Sequence, residues 1–184
     1  MDEIVKAAML KWPKVPHCYG WLGLDARGNW SMRDDAAQAR GAFTSGAQGA
    51  KGALLRHDKL LAFIERNYTH DERGQWYFQN GPQRVYVELE ATPYIWRIQD
   101  DLRVAAHTGQ AAQVQACLMD EAGRAYLVTD LGFGLVHSLD VPYVAQALDA
   151  ETWAVQEVTA KDLPERYHFV ISPEALHRVT QEPA

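Results

Sequence analysis

The side chains in this sequence with the chemistry to act on a ligand are its histidines, its two cysteines, some adjacent carboxylates, and a run of aromatic residues interleaved with arginines. The histidines are His17, His57, His70, His107, His137, His168 and His177. No two stand at the H-x-H or H-E-x-x-H spacing that presents two imidazoles to one metal ion, so no metal is expected. His137 stands out because it interrupts an apolar stretch, Leu-Val-His-Ser-Leu. His17 and Cys18 pair a base with a thiol, but neighbours in an extended segment point to opposite sides. The nucleophile elbow Gly-x-Ser-x-Gly is absent. Gly132-Phe133-Gly134 lacks the third glycine of a dinucleotide loop, and Gly41 to Gly46 is followed by Ala47 where a phosphate loop requires lysine. Adjacent acids at Asp34-Asp35, Asp100-Asp101 and Asp120-Glu121 read as solvated loop residues, since acid–base work needs carboxylates held apart across a cleft. Neither catalytic residues nor a cofactor are expected.

The aromatic–arginine run is the better candidate. Arg84, Tyr86, Tyr94, Trp96 and Arg97 fall within Gly74–Ile98 and are expected on neighbouring strands. An arginine fork matches a carboxylate or phosphate, while Trp and Tyr give stacking surface with a polar end. Tyr94 and Trp96 are two apart and share a strand face. The expected ligand-binding set is therefore Arg84, Tyr86, Tyr94 and Trp96, with His137, and the ligand a small anion. The competing explanation is that aromatic pairs across strands simply stabilise the sheet.

The elements that position these residues follow from hydrophobic spacing. Shifting the stretch from Asp71 by 49 residues carries Asp71, Glu72, Gly74, Tyr77, Val87, Pro93 and Tyr94 onto Asp120, Glu121, Gly123, Tyr126, Val136, Pro142 and Tyr143. An internal repeat is expected from this. The motif Asp-x-x-Gly occurs as Asp25–Gly28, Asp71–Gly74 and Asp120–Gly123, each a hairpin turn. Past each glycine, Trp30 and Met32, Trp76 and Phe78, and Ala125 and Leu127 alternate toward the core.

Around these lie a helix over Asp2–Trp12, with Ile4, Ala8 and Trp12 on its apolar face, capped by Asp2 and stopped by Pro13. A main helix is expected over Leu54–Tyr68, with Leu60, Ile64 and Tyr68 in line. Strands are expected near 75–80, 83–90, 94–99, 114–119, 124–129, 134–139, 153–158 and 166–171, and a last helix from Pro173. The segment after Asp140 is consistent with a helix on composition and with a strand on the repeat. Asp34–Lys51 is small, polar and glycine-rich and reads as a mobile loop, either a lid or a surface insertion.

Composition narrows the function classes. A net charge of −6 and no Lys/Arg run longer than two weigh against nucleic acid. No apolar run approaches the length of a membrane span, and the acidic start lacks a signal peptide's apolar core. Two cysteines without a thiol motif fit a reduced, cytoplasmic protein.

The residues YGWLGLDARGNW, LLAFIERN, DERGQWYFQNGPQRVYVELEATPYI and LVTDLGFGLVHSLDVPYV together resemble a bacterial family, domain-of-unknown-function family 1285. The resemblance runs from about Trp12 to Trp153, with Asn80–Arg84 and the glycine-rich 41–52 departing from the family pattern, as a sister family would. It implies a duplicated α+β fold with small-ligand binding, and no catalytic residues to carry over.

The sequence reading is thus α+β, two copies of a strand-rich unit with a few helices and mostly antiparallel sheet. Residues 1–103 hold the N-terminal helix, a hairpin and the first repeat, and 104–184 the second repeat and C-terminal segment. The expected function is binding of a small anionic ligand without catalysis. A structural or protein-interaction module, including a homo-oligomer, and an enzyme with a dispersed His/Asp/Cys site are the alternatives.

Overall fold

The computed structural model of the chain describes residues 1–12 and 14–181. Two compact units emerge: residues 1–25, 29–90 and 169–184 form the first, and 26–28 with 91–168 the second. The boundary expected at 103/104 lies inside a hairpin of the second unit, and the end of the chain returns to the first.

In the first unit six strands form one sheet. They are β1 (Cys18–Leu24), β2 (Trp30–Met32), β3 (Ala53–Leu54), β4 (Tyr68–His70), β5 (Trp76–Asn80) and β6 (Gln83–Leu89), in the order β3-β2-β1-β6-β5-β4. In the second unit the sheet is built from β7 (Tyr94–Ile98), β8 (Val104–Ala106), β9 (Ala111–Ala112), β10 (Val114–Asp120), β11 (Ala125–Thr129), β12 (Gly132–Val136) and β13 (Val155–Val158). Its order is β13-β10-β11-β12-β7-β8-β9. Hairpin pairs are antiparallel, but β1–β6, β7–β12 and β10–β13 run parallel, so both sheets are mixed.

The pairing recurs at a fixed offset. Tyr68↔Phe78, Thr69↔Tyr77 and His70↔Trp76 become, 49 residues on, Cys117↔Leu127, Leu118↔Tyr126 and Met119↔Ala125. Tyr77↔Tyr86 and Phe78↔Val85 become Tyr126↔Leu135 and Leu127↔Gly134. The first hairpins match at an offset of 74: Leu22↔Met32 and Leu24↔Trp30 become Trp96↔Ala106 and Ile98↔Val104. Leu102, with φ of 63°, occupies the place that Gly28, with φ of 81°, holds in the earlier turn. The offset changes because the first unit has about 25 more residues between its early and late strands, including α2 (Asp35–Ala39) and α3 (Asp58–Arg66).

The three Asp-x-x-Gly turns are built alike. Each aspartate accepts the backbone N–H four residues on: Asn29 at 2.8 Å, Gln75 at 3.0 Å and Arg124 at 2.9 Å.

The correspondence fails at its C-terminal end. Tyr94–Ile98 is strand, whereas Pro142 and Tyr143 lie in α4 (Val141–Asp149), so Tyr94 and Tyr143 are not equivalent. Proline at a helix start loses no hydrogen bond, and Ala145, Ala147 and Leu148 favour the helix.

Other expectations need correcting. The first helix, α1 (Glu3–Lys11), buries Val5 and leaves Ile4 and Trp12 exposed, and the carboxylate of Asp2 turns to Arg66 and Asn67 rather than capping. The stop expected at Pro13 lies outside the described residues. The main helix α3 is shorter than its apolar pattern: Leu54 belongs to β3 and Tyr68 to β4, and His57 caps it by accepting the Leu60 N–H. Met32 is exposed instead of facing the core. Residues 166–171 form no strand; a 3-10 turn (Ala160–Asp162) and α5 (Leu163–Arg166) precede them, and His168 has φ of 51°.

The glycine-rich segment is anchored at several points. Arg33, fully buried, donates to the carbonyls of Ala50 (2.7 Å), Gly20 (3.0 Å) and Gly41 (2.6 Å) and pairs with Glu174 at 3.3 Å. Phe43 buries its ring against Gly23, and Asp34 caps α2 through the Ala37 N–H. Composition gave no hint of the main anchors, because Arg33 and Glu174 lie outside the segment. The last helix, α6 (Pro173–Gln181), is tied to the same sheet by Glu88, which accepts from the Ser172 hydroxyl at 2.5 Å and the Glu174 N–H at 3.0 Å.

Candidate functional site

Strand alternation puts Arg84 and Tyr86 on one face of β6, with Tyr77 opposite Tyr86 on β5. The Arg84 guanidinium lies over the Tyr77 ring at 4.5 Å, and its Nη1 donates to the Tyr86 hydroxyl at 3.5 Å. Tyr86 in turn donates to the Asp71 carboxylate at 3.1 Å. Asp71 is fixed by its own turn, where it accepts from the backbone of Arg73 and Gln75. Tyr19 of β1 stacks on Tyr86 (4.5 Å, 7°) and on His177 of α6 (3.9 Å, 5°), forming a column of three rings.

The cluster carries one positive charge, Arg84, with the Asp71 carboxylate acting on it from beyond Tyr86. Arg84 is half-buried and makes no ion pair among the described residues. Partial burial and the Arg84 charge lower the pKa of His17, whose Nδ1 accepts the Arg84 backbone N–H at 3.4 Å. A neutral His17 with Nδ1 accepting carries its proton on Nε2, a second donor beside the guanidinium. Burial pushes the Tyr86 phenol up to about 12. Its proton is retained in the fold after it is lost from an unfolded chain near pH 10, so this contribution to stability is complete below pH 10 and lost as pH rises through 12. Burial also raises Tyr77, Tyr94 and Tyr126, so absorbance titration near 295 nm should show several late-titrating tyrosines and one fewer of them in Tyr86→Phe.

The rest of the expected site does not join this cluster. β6 and β7 belong to different sheets, because β6 takes β1 as its other neighbour while β7 lies between β12 and β8. Tyr94 and Trp96 stack on each other at 5.1 Å in the second unit. Trp96 is fully buried and donates its indole N–H to the Leu127 carbonyl at 3.0 Å. His137 is buried and accepts the Leu139 N–H on Nδ1 at 3.1 Å. Arg97 is paired with Asp140 at 2.6 Å, and that hydrogen bond raises its pKa. Of the expected set, Arg84 and Tyr86 are the residues brought into contact in the first unit. Reasoning from sequence passed over Tyr19 and His177, which stand far apart along the chain. Asp71 was signalled only as a turn residue.

The second unit also repeats the carboxylate–phenol contact. Asp120 accepts from the Ala122 and Arg124 backbones, from the Arg124 side chain at 2.8 Å and from the Tyr126 hydroxyl at 2.8 Å. Here the arginine is paired with the aspartate.

A mixed-sheet α+β protein in two units, with an aromatic–arginine cluster in one, is the class defined so far. A family model, DUF2944, described as "Protein of unknown function (DUF2946)", matches residues 1–174, and the chain belongs to that family. No curated protein matches the chain. Among solved structures, a DUF1285 family protein from Silicibacter pomeroyi DSS-3 is similar at a TM-score of 0.46 and 12% identity over 68% of each chain. That is the family the sequence resembled, while the family model that matches is a different one.

Proposed function

We propose that the chain is a duplicated binding module whose first unit takes a small anionic ligand at Arg84 without transforming it. The observation that carries this is a guanidinium held between Tyr77 and Tyr86 with no carboxylate partner among the described residues. Such a fork is already oriented, so little side-chain entropy is lost on engaging a carboxylate or phosphate. Duplication is supported by the recurrent pairing at offsets of 49 and 74. The second copy has lost the equivalent cation, with Phe133 at the position of Arg84.

Inorganic phosphate, sulfate, citrate and short dicarboxylates test the reading. At about 100 times Kd, a ligand stabilises by about 2.7 kcal/mol, which raises Tm by roughly 5–10 °C for a chain of this size. Arg84→Gln should abolish the shift, and Arg84→Lys should retain part of it. A flat response across these anions, or an equal response in Arg84→Gln, would sink the proposal.

A further inference from the structure

His17 immediately precedes β1 and stands beside the cluster that holds Arg84. Its Nδ1 accepts the Arg84 backbone N–H at 3.4 Å, and its ring meets the Tyr86 ring edge-on at 6.0 Å. The residue is mostly exposed, so its imidazole exchanges protons with solvent.

The titratable and charged groups around it are few. β6 brings Arg84 and Tyr86, and Tyr86 leads on to the Asp71 carboxylate at 3.1 Å. Tyr77 of β5 lies under the Arg84 guanidinium. From the adjoining strand come Cys18, whose pKa burial raises, and Tyr19, which stacks on both Tyr86 and His177 of α6. Of these, Arg84 is the group whose charge bears on His17: partial burial first, then that charge, hold its pKa down.

The hydrogen bond to Arg84 makes the two protonation states of this ring different in structure. A neutral imidazole has a lone pair on Nδ1 for the Arg84 N–H. In the imidazolium both ring nitrogens are donors. The Nδ1 proton then meets the Arg84 proton, so the contact breaks and the exposed ring turns away from the backbone.

We propose that His17 couples anion binding at Arg84 to proton uptake: on taking a proton from solvent it releases the Arg84 N–H and turns a charged N–H to the bound anion. This rests on the reading of Arg84 as an anion site. An anion on the guanidinium offsets the charge that opposes a second cation, and it gives the turned imidazolium an acceptor. No covalent bond changes other than the N–H that forms. The coupling is reciprocal, so the anion favours protonation by the same factor by which protonation favours the anion. Arg84 holds the ligand without that charge at pH 8, and with it below about pH 6.

Sulfate tests this, because its charge is constant over the range in which phosphate itself titrates. Calorimetric titration at fixed ionic strength should give a Kd about five- to tenfold smaller at pH 5.5 than at pH 8, as a rise in pKa of nearly one pH unit requires. NMR titration of the imidazole C–H signals should show that rise at His17 when sulfate is saturating. His17→Asn keeps an acceptor for the Arg84 N–H but cannot titrate, and its Kd should be the same at the two pH values. Equal Kd values in the unaltered protein overturn the coupling and leave the Arg84 site standing. An undiminished pH effect in His17→Asn assigns the proton to another group and overturns it too. Absence of sulfate binding at either pH removes the Arg84 site itself, and the coupling with it. If the variant does not fold, the NMR titration decides: a His17 pKa unmoved by saturating sulfate ends the proposal.

Discussion

Arg33→Met should lower the stability of the first unit by about 3–5 kcal/mol, the usual result of breaking a buried ion pair by removing one partner. The guanidinium satisfies three carbonyls and Glu174 at once, and methionine keeps its length while satisfying none. Glu174 keeps its ion pair with Arg178 but loses its partner on the buried side, close enough to disfavour charge on Glu88. Burial already raises the Glu88 pKa, opposed by the Ser172 hydroxyl, the Glu174 N–H and the Arg33 charge. A raised carboxyl pKa adds stability that is complete below its unfolded value near 4.5 and is lost as pH rises through the folded value. Removing Arg33 raises it further, so the defect should be larger at pH 8 than at pH 5. Urea midpoints at the two pH values measure this. Limited proteolysis should show new cleavage within residues 40–52, because the segment loses the anchors at Gly41 and Ala50. Adding Glu174→Gln should recover part of the loss. A change under 1 kcal/mol with an unaltered cleavage pattern would mean that Phe43 and α2 hold the segment unaided.

Arg33 also marks where sequence reasoning stopped. Asp25, Asp71 and Asp120 were legible because a turn is a local problem: the aspartate, the glycine and the N–H it binds lie within five residues. The 49-residue echo was legible for the same reason, since it rests on two hairpins with conserved turn chemistry. What lay beyond reach was decided by partners far along the chain. Asp34–Lys51 looks unstructured in composition, and its order comes from Arg33, Phe43 and Glu174. The earlier match, at an offset of 74, was hidden because Gln99 and Leu102 stand where Asp25 and Gly28 do, although Gln99 and Arg103 close the turn as Asp25 and Asn29 do. The candidate site divided for a related reason. Arg84 and Trp96 sit twelve residues apart in one aromatic run, but a parallel partner chosen from elsewhere, β1 for β6 and β12 for β7, sends them to different sheets. Strand alternation alone cannot reveal that choice.

Trp96→Ala should cost the second unit about 3–5 kcal/mol, the range for deleting a large buried aromatic side chain. Truncation removes the stack on Tyr94 and the bond to the Leu127 carbonyl. The void cannot close easily, because Gly134 already brings β12 against the β7 backbone: a Cβ there would lie 2.4 Å from the Tyr94 carbonyl oxygen. For the same reason Gly134→Val, which installs the residue that the first unit carries as Val85, should also be strongly destabilising, and Trp96→Leu should not relieve it, since the clash is with backbone. The truncated protein should regain stability when indole is added, with 1-methylindole the poorer rescuer because it cannot donate to Leu127. Thermal unfolding of Trp96→Ala across an indole series gives the result directly. Failure of indole to rescue, despite a folded Trp96→Ala protein, would mean that the void collapses around Gly134 once the ring is gone.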